Sequence, residues 1–187
     1  DELGLGKSHD GILVLPENAT VGMPAAEFLK ITNDSVIEIG LTPNRTDAMC
    51  HIGVARDLRA GLLRQDIVTS LKFPSISGFK LSNTNRAVSV KIDDRHACGQ
   101  YFGLTISDVS VKESPDWLKA KIQAIGLSPV NNIVDVTNFV LHETGHPLHA
   151  FDADEISGDK IIVRTLNAGT KFITLDEKEH ELHQDDL

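Results

Sequence analysis

The sequence predicts a mixed α+β chain, and three observations carry that expectation. Apolar residues alternate with polar ones at residues 36–41 and again at Val88, Val90 and Ile92, the period of a half-buried strand. Between and beyond these stretches apolar residues recur at helical spacing, bounded by capping residues and glycines. No internal repeat is present.

In chain order, an apolar run from Ile12 to Leu15 closes at Pro16, and Gly22 and Pro24 introduce a helical turn through Phe28 and Leu29. Val36 to Leu41 reads as a strand, and the cluster TPNRTD (Thr42 to Asp47) turns the chain into a helix with Met49, Ile52, Ala55, Leu58 and Leu62 on one face. Residues 65–85 contain Pro74, Gly78, four Ser and two Asn with little periodicity, the composition of a linker. Val88 to Ile92 and Cys98 to Ile106, rich in aromatic and β-branched residues, read as strands. Ser114-Pro115 supplies an N-cap followed by proline at the first helical position; Trp117, Leu118, Ile122 and Ile125 form one face, and Gly126 ends the helix. Pro129 and the pair Asn131-Asn132 open another helix, with Val130, Ile133, Val134, Thr137, Val140 and Leu141 on its buried side and Gly145 and Pro147 closing it. Ile161 to Val163 and Phe172 to Leu175 read as strands, the second turning at Asp176-Glu177.

At 187 residues the chain suits one ordinary domain or two small ones, with about 70% of the unfolded surface available for burial. Hydrophobic content of 41% and charged content of 24% exclude disordered and collagen-like classes. No apolar run approaches the roughly 20 residues of a membrane span, and Asp1-Glu2 does not open a signal peptide, so a soluble chain is expected. Cys50 and Cys98 are too few for a disulfide framework and suit two buried thiols in a reducing cytosol. The net charge of −9 speaks against a basic nucleic-acid surface on the chain as a whole, but five of the nine net negative charges lie in residues 176–187. The start without Met and the polar end are those expected of a piece of a longer chain.

Residues 142–146 read HETGH, the spacing at which His142 and His146 would bind zinc on one helix face with Glu143 as base. The competing reading is polar residues at a fraying helix end, because Gly145 is a helix terminator and Pro147 disfavours helical geometry at His146. His149 lies in the apolar stretch PLHAFD, where an imidazole that both accepts and donates can orient a group or relay a proton, or can simply be satisfied by backbone. Asn138, beside Thr137, is a polar residue in a helix interior and needs a partner or a purpose. A helix packed on the segment that follows it would bring Asn138 and His149 into one pocket. Arg45, Arg56 and Arg59 offer bidentate donors to phosphate, or pair with Glu38 or Asp57 while Asn44 and Asp47 cap the next helix.

SPVNNIVDVTNFVLHETGHPLHAFD (Ser128 to Asp152) resembles the bacterial phenylalanyl-tRNA synthetase β subunit: an Asn pair, VDVTN followed by an aromatic, then G-x-P-x-HAFD. IEIGLTPNRTDAMCHIGVARDL (Ile37 to Leu58) is similar to the TPNR-x-D and GxAR element of the same subunit, in the same order, so the resemblance covers nearly the whole chain. Phe139, His146 and Gln100 depart from the Tyr, Gln and Arg common in the family.

The resemblance implies the end of the subunit's N-terminal module (1–64), a linker (65–85) and the first half of its tRNA-editing module (86–187), a mixed sheet or barrel-like fold incomplete at its C-terminus. It implies a cytoplasmic synthetase of two α and two β subunits acting on tRNA(Phe), whose aminoacylation centre, served by ATP and Mg, lies on the α subunit; this stretch itself would need no cofactor and no metal. The editing module hydrolyses tRNA mischarged with Tyr. Carried onto this chain, His149 and Asn138 match catalytic editing positions, and Thr137 and Pro147 line the same site. The family's Tyr-hydroxyl recognition uses a later Gly-Gly-Glu-type motif that this sequence lacks, which implies half a pocket and leaves a non-catalytic scaffold and tRNA-docking role as the alternative.

Overall fold

The computed structural model describes residues 11–12, 14–29, 34–174 and 177–187. Two units are distinguished, Asp1–Glu38 and Ile39–Leu187. In the first, Gly22 adopts φ +87° and leads into Pro24, whose carbonyl accepts from the amides of Glu27 (3.0 Å) and Phe28 (3.1 Å) to open helix α1, Ala25–Phe28. Leu13 of the apolar run Ile12 to Leu15 lies outside the described residues.

Within the second unit, a 3-10 turn at Thr46–Ala48 precedes α2 (His51–Leu63), β1 (Ser89–Ile92), α3 (Asp116–Ala124) and α4 (Asn132–Thr144). Two further 3-10 turns at Ala153–Glu155 and Ser157–Asp159 lead into β2 (Lys160–Val163), β3 (Lys171–Ile173) and β4 (Glu179–Glu181). β1 and β2 pair in parallel, Ser89 opposite Lys160 through Ile92 opposite Val163, so that α3 and α4 lie on the crossover between them. β3 and β4 form an antiparallel hairpin from Lys171 opposite Glu181 to Ile173 opposite Glu179. Both are open two-stranded sheets, and the expectation of a mixed α+β chain holds at that level. Arg86 fixes the start of the parallel pair: its guanidinium reaches Asp154 at 2.6 Å and the Ala153 carbonyl at 2.9 Å, and Asp154 raises its pKa.

The packed centre lies between helices. Leu118 and Ile122, one turn apart on α3, are fully buried together with Ala48. Trp117 meets Phe139 of α4 edge to face at a centroid distance of 5.7 Å. α3 ends as expected at Gly126 (φ +83°): the Gly126 amide reaches the Gln123 carbonyl at 2.9 Å and the Leu127 amide reaches that of Ile122 at 3.1 Å, the paired bonds of a Schellman end.

Several expectations are corrected. Val36 to Leu41 and Cys98 to Ile106 form no strand and pair with no described strand, and Ile37, Phe102 and Ile106 are exposed. Their β-branched and aromatic composition suits a pleated surface, yet a strand needs a neighbouring ladder to exist. The cap of α3 is Pro115, not Ser114, because the Ser114 hydroxyl is drawn to a buried carboxylate on α4. The fully buried residue of α4 is Asp135; Val130 and Val134, assigned to its buried side, are exposed. Cys50 and Cys98 are half-buried free thiols rather than fully buried ones. Leu175 and Asp176, expected at the end of β3 and in its turn, lie outside the described residues.

Candidate functional site

α4 and the chain leaving it carry all four residues singled out from the sequence. The helix is held first at its N-terminus. Asn131 accepts from the amides of Ile133 and Val134, both at 3.0 Å, satisfying two of the donors that a helix start leaves unpaired. Asn132 binds outward: its side-chain oxygen accepts from Lys112 N (2.9 Å) and its amide donates to the Ser110 carbonyl (3.0 Å). One turn on, Asp135 is fully buried and accepts from the Ser114 hydroxyl at 2.5 Å and from Val130 N at 2.9 Å. A buried carboxylate is tolerated because its oxygens are met by donors, and here those donors tie α4 to the start of α3 and to the loop between them.

The C-terminus of α4 is held by α2. Gly145 turns left-handed at φ +80°, its amide reaching the Leu141 carbonyl at 2.7 Å. A Cβ there would lie 3.4 Å from Cys50 Sγ, and Cys50 is itself the N-cap of α2, accepting from Gly53 N at 3.3 Å. Next to it, His51 Nδ1 lies 2.9 Å from the His142 carbonyl; a carbonyl only accepts, so this imidazole nitrogen is the donor. Thr144 closes the turn, its hydroxyl donating to the Val140 carbonyl at 2.8 Å and accepting from His146 N at 3.2 Å.

Between these ends, Thr137 and Asn138 are half-buried neighbours on α4, the Thr137 hydroxyl donating to the Val134 carbonyl at 2.7 Å. Pro147 and His149 lie exposed on the segment after Gly145, and the His149 ring is tilted 36° against Phe151 at 6.5 Å. The structure thus sets Thr137 and Asn138 on one rigid element and His149 on its exit, and no hydrogen bond joins Asn138 to His149 among the described residues. The zinc reading of HETGH is overturned. The helix ends at Thr144 and Gly145 reverses the backbone, so His142 and His146 do not share a helix turn. Among the described residues no group of three or more His, Cys, Asp or Glu side chains is placed to hold a metal ion.

Arg45, Arg56 and Arg59 all bond within the chain. Arg45 grips Asp47 through two bonds of 3.0 and 3.2 Å and Asp57 through one of 2.6 Å. Arg56 donates to the Asp47 carbonyl at 3.1 Å, and Arg59 to that of Thr69 at 3.3 Å. Bonded to Asp47 first and Asp57 second, Arg45 is held above its ordinary pKa, and in return Arg45 keeps the Asp47 carboxyl below the usual carboxylate range. The expected Asp57 partner is present, whereas the helix cap is Cys50 rather than Asn44 or Asp47. Sequence reasoning missed His51 and Asp135 because each bonds a residue remote in the chain, and Cys50 because a thiol is a weak acceptor and not one of the usual capping residues.

No helix among the described residues is long and apolar enough to cross a membrane. The B3/4 domain family matches residues 97–187. Over its whole length the chain is similar to proteins named phenylalanine–tRNA ligase β subunit: it is 50% identical to that of Porphyromonas gingivalis over 186 residues and 47% identical to that of Bacteroides thetaiotaomicron over 187, in each case covering 23% of the relative. The Salinibacter ruber relative is 44% identical, with 22% of its length covered. The chain therefore spans less than a quarter of the curated relatives it matches. With identity sustained from end to end, and with a B3/4 match that takes in α3, α4 and the exposed His149 segment, the chain is similar throughout to a stretch of bacterial phenylalanine–tRNA ligase β subunits.

Proposed function

We propose that this chain is the part of a phenylalanine–tRNA ligase β subunit that begins the hydrolytic editing site for tRNA(Phe) mischarged with tyrosine. A pocket shaped for Phe rejects an isostere with one added hydroxyl by only about 10²-fold, so accuracy calls for a second step that destroys the wrong ester. The chemistry needed is modest: hold the ester end of the tRNA, hold a water against its carbonyl, and donate to the oxygen that gathers charge. Asn138 offers a carbonyl acceptor and two amide donors; His149 offers one acceptor and one donor as a neutral imidazole. Thr137 and Pro147 line the same site. Positioning supplies most of the rate. In the complete enzyme, α subunits would pair with β subunits as a cytoplasmic heterotetramer, and ATP and Mg would serve aminoacylation on the α subunit, with no metal or cofactor in this stretch.

The observation that carries this reading is the fixing of α4 at both ends: it leaves Asn138 on a rigid element and His149 exposed five residues beyond the end of the helix. The test is hydrolysis of Tyr-tRNA(Phe) by the complete synthetase with Asn138→Ala or His149→Ala. Each substitution is expected to slow deacylation by about 10²-fold, the loss typical of a misplaced reacting group, while Phe-tRNA synthesis is unchanged. Wild-type deacylation in both variants would contradict the assignment and leave the scaffold role.

A further inference from the structure

We propose that His51 is a positioning residue for the editing reaction: by donating to the His142 carbonyl it fixes the exit of α4 and so sets where His149 stands. The inference rests on the editing reading above. The bond joins residues 91 positions apart and is the hydrogen bond by which the start of α2 holds the last turn of α4. At a helix C-terminus the final carbonyls have no intrahelical donor, so an imidazole placed there meets an unpaired acceptor and also fixes the direction in which the chain departs. The rest of the junction admits little freedom. A Cβ on Gly145 would already be in van der Waals contact with Cys50, and the Thr144 hydroxyl ties His146 N back to the helix. From Gly145 only His146, Pro147 and Leu148 intervene before His149, and the proline ring further restricts the path. A shift at the His142 carbonyl is therefore carried to the His149 imidazole, whereas Asn138, higher on α4, stays in place.

Two polar substitutions separate this role from simple packing. His51→Asn places an amide nitrogen close to where Nδ1 lies; His51→Gln carries its donor one bond further out, where Nε2 lies. In the complete synthetase acting on Tyr-tRNA(Phe), His51→Asn is expected to keep deacylation within about twofold of wild type, and His51→Gln to lower kcat about tenfold with KM nearly unchanged, the signature of a misplaced reacting group. Phe-tRNA synthesis should be unaffected in both. On a His149→Ala background His51→Gln should add no further loss, because its effect passes through His149. Equal rates in the two His51 variants, additive losses, or a parallel loss of Phe-tRNA synthesis would overturn the inference. If His149→Ala alone leaves deacylation intact, the editing reading itself has failed, and this inference falls with it.

Discussion

Asp135 shows how much a single side chain decides. It is fully buried, and its two oxygens take the Ser114 hydroxyl and the Val130 amide. Asp135→Ala leaves that amide without a partner and is expected to lower the unfolding free energy by about 1–3 kcal/mol; Asp135→Asn, which keeps an acceptor, should cost less. Urea denaturation checks both, and removal of Ser114 and Asp135 together should cost less than the sum of the single losses. Asp47 acts through its charge. Its folded-state pKa is depressed by Arg45, so the stability it contributes is present above the ordinary carboxylate pKa and is lost as pH falls through the lower folded value. Asp47→Asn should therefore flatten the acid limb of the stability curve and leave the slope near neutral pH unchanged. Local roles such as the Asn131 cap were legible, since cap and capped amides are two and three residues apart. The Ser114–Asp135 and His51–His142 bonds were not, because their partners meet only after the helices have packed.

Among elements, helix ends were the most legible feature: Gly126 and Gly145 both take the left-handed conformation that glycine adopts without a Cβ penalty. The strands read at Val88–Ile92 and Ile161–Val163 are present as β1 and β2, but their parallel pairing was not legible, because it joins residues remote in the chain, as does the Arg86–Asp154 clamp at its start. β4 escaped notice because Glu179-His180-Glu181 has no apolar alternation; it forms as the partner of β3, with Lys171 and Glu179 2.8 Å apart across the hairpin. Residues 98–106 show the reverse error, since strand composition without a ladder makes no strand. α2 supplies a sharp test of packing. A Cβ on Gly53 would lie 2.1 Å from the Asp47 carbonyl oxygen and 2.7 Å from Ala48 Cα, both backbone atoms, while one on Gly61 meets nothing within 4 Å. Gly53→Ala is expected to destabilise by at least about 1–3 kcal/mol through overpacking. Gly61→Ala should instead stabilise by about 0.5–1 kcal/mol through helix propensity. Thermal melts followed by far-UV circular dichroism would show the opposite shifts; matching shifts would contradict the docking of α2 on the 46–48 turn.

For the whole molecule, apolar periodicity indicated an α+β chain and net charge argued against a nucleic-acid surface, and the two deserve different weight. The excess of negative charge is concentrated in residues 176–187, where Glu179 and Glu181 are exposed on the β3–β4 hairpin, and at physiological salt such charge is screened over about 8 Å. A net charge of −9 therefore does not decide what α4 and its exit can bind. The motif VDVTN with PLHAFD was the legible part of the candidate site; its support by α2, from a separate stretch of the chain, was not. The central claim is that Asn138 and His149 remove tyrosine from tRNA(Phe), and the most direct measurement is the build-up of Tyr-tRNA(Phe) when the complete synthetase is given tyrosine, ATP and tRNA. With the wild-type enzyme it should stay near background, and with His149→Ala it should accumulate while Phe-tRNA forms at the normal rate; equal background levels in the two enzymes would contradict the claim.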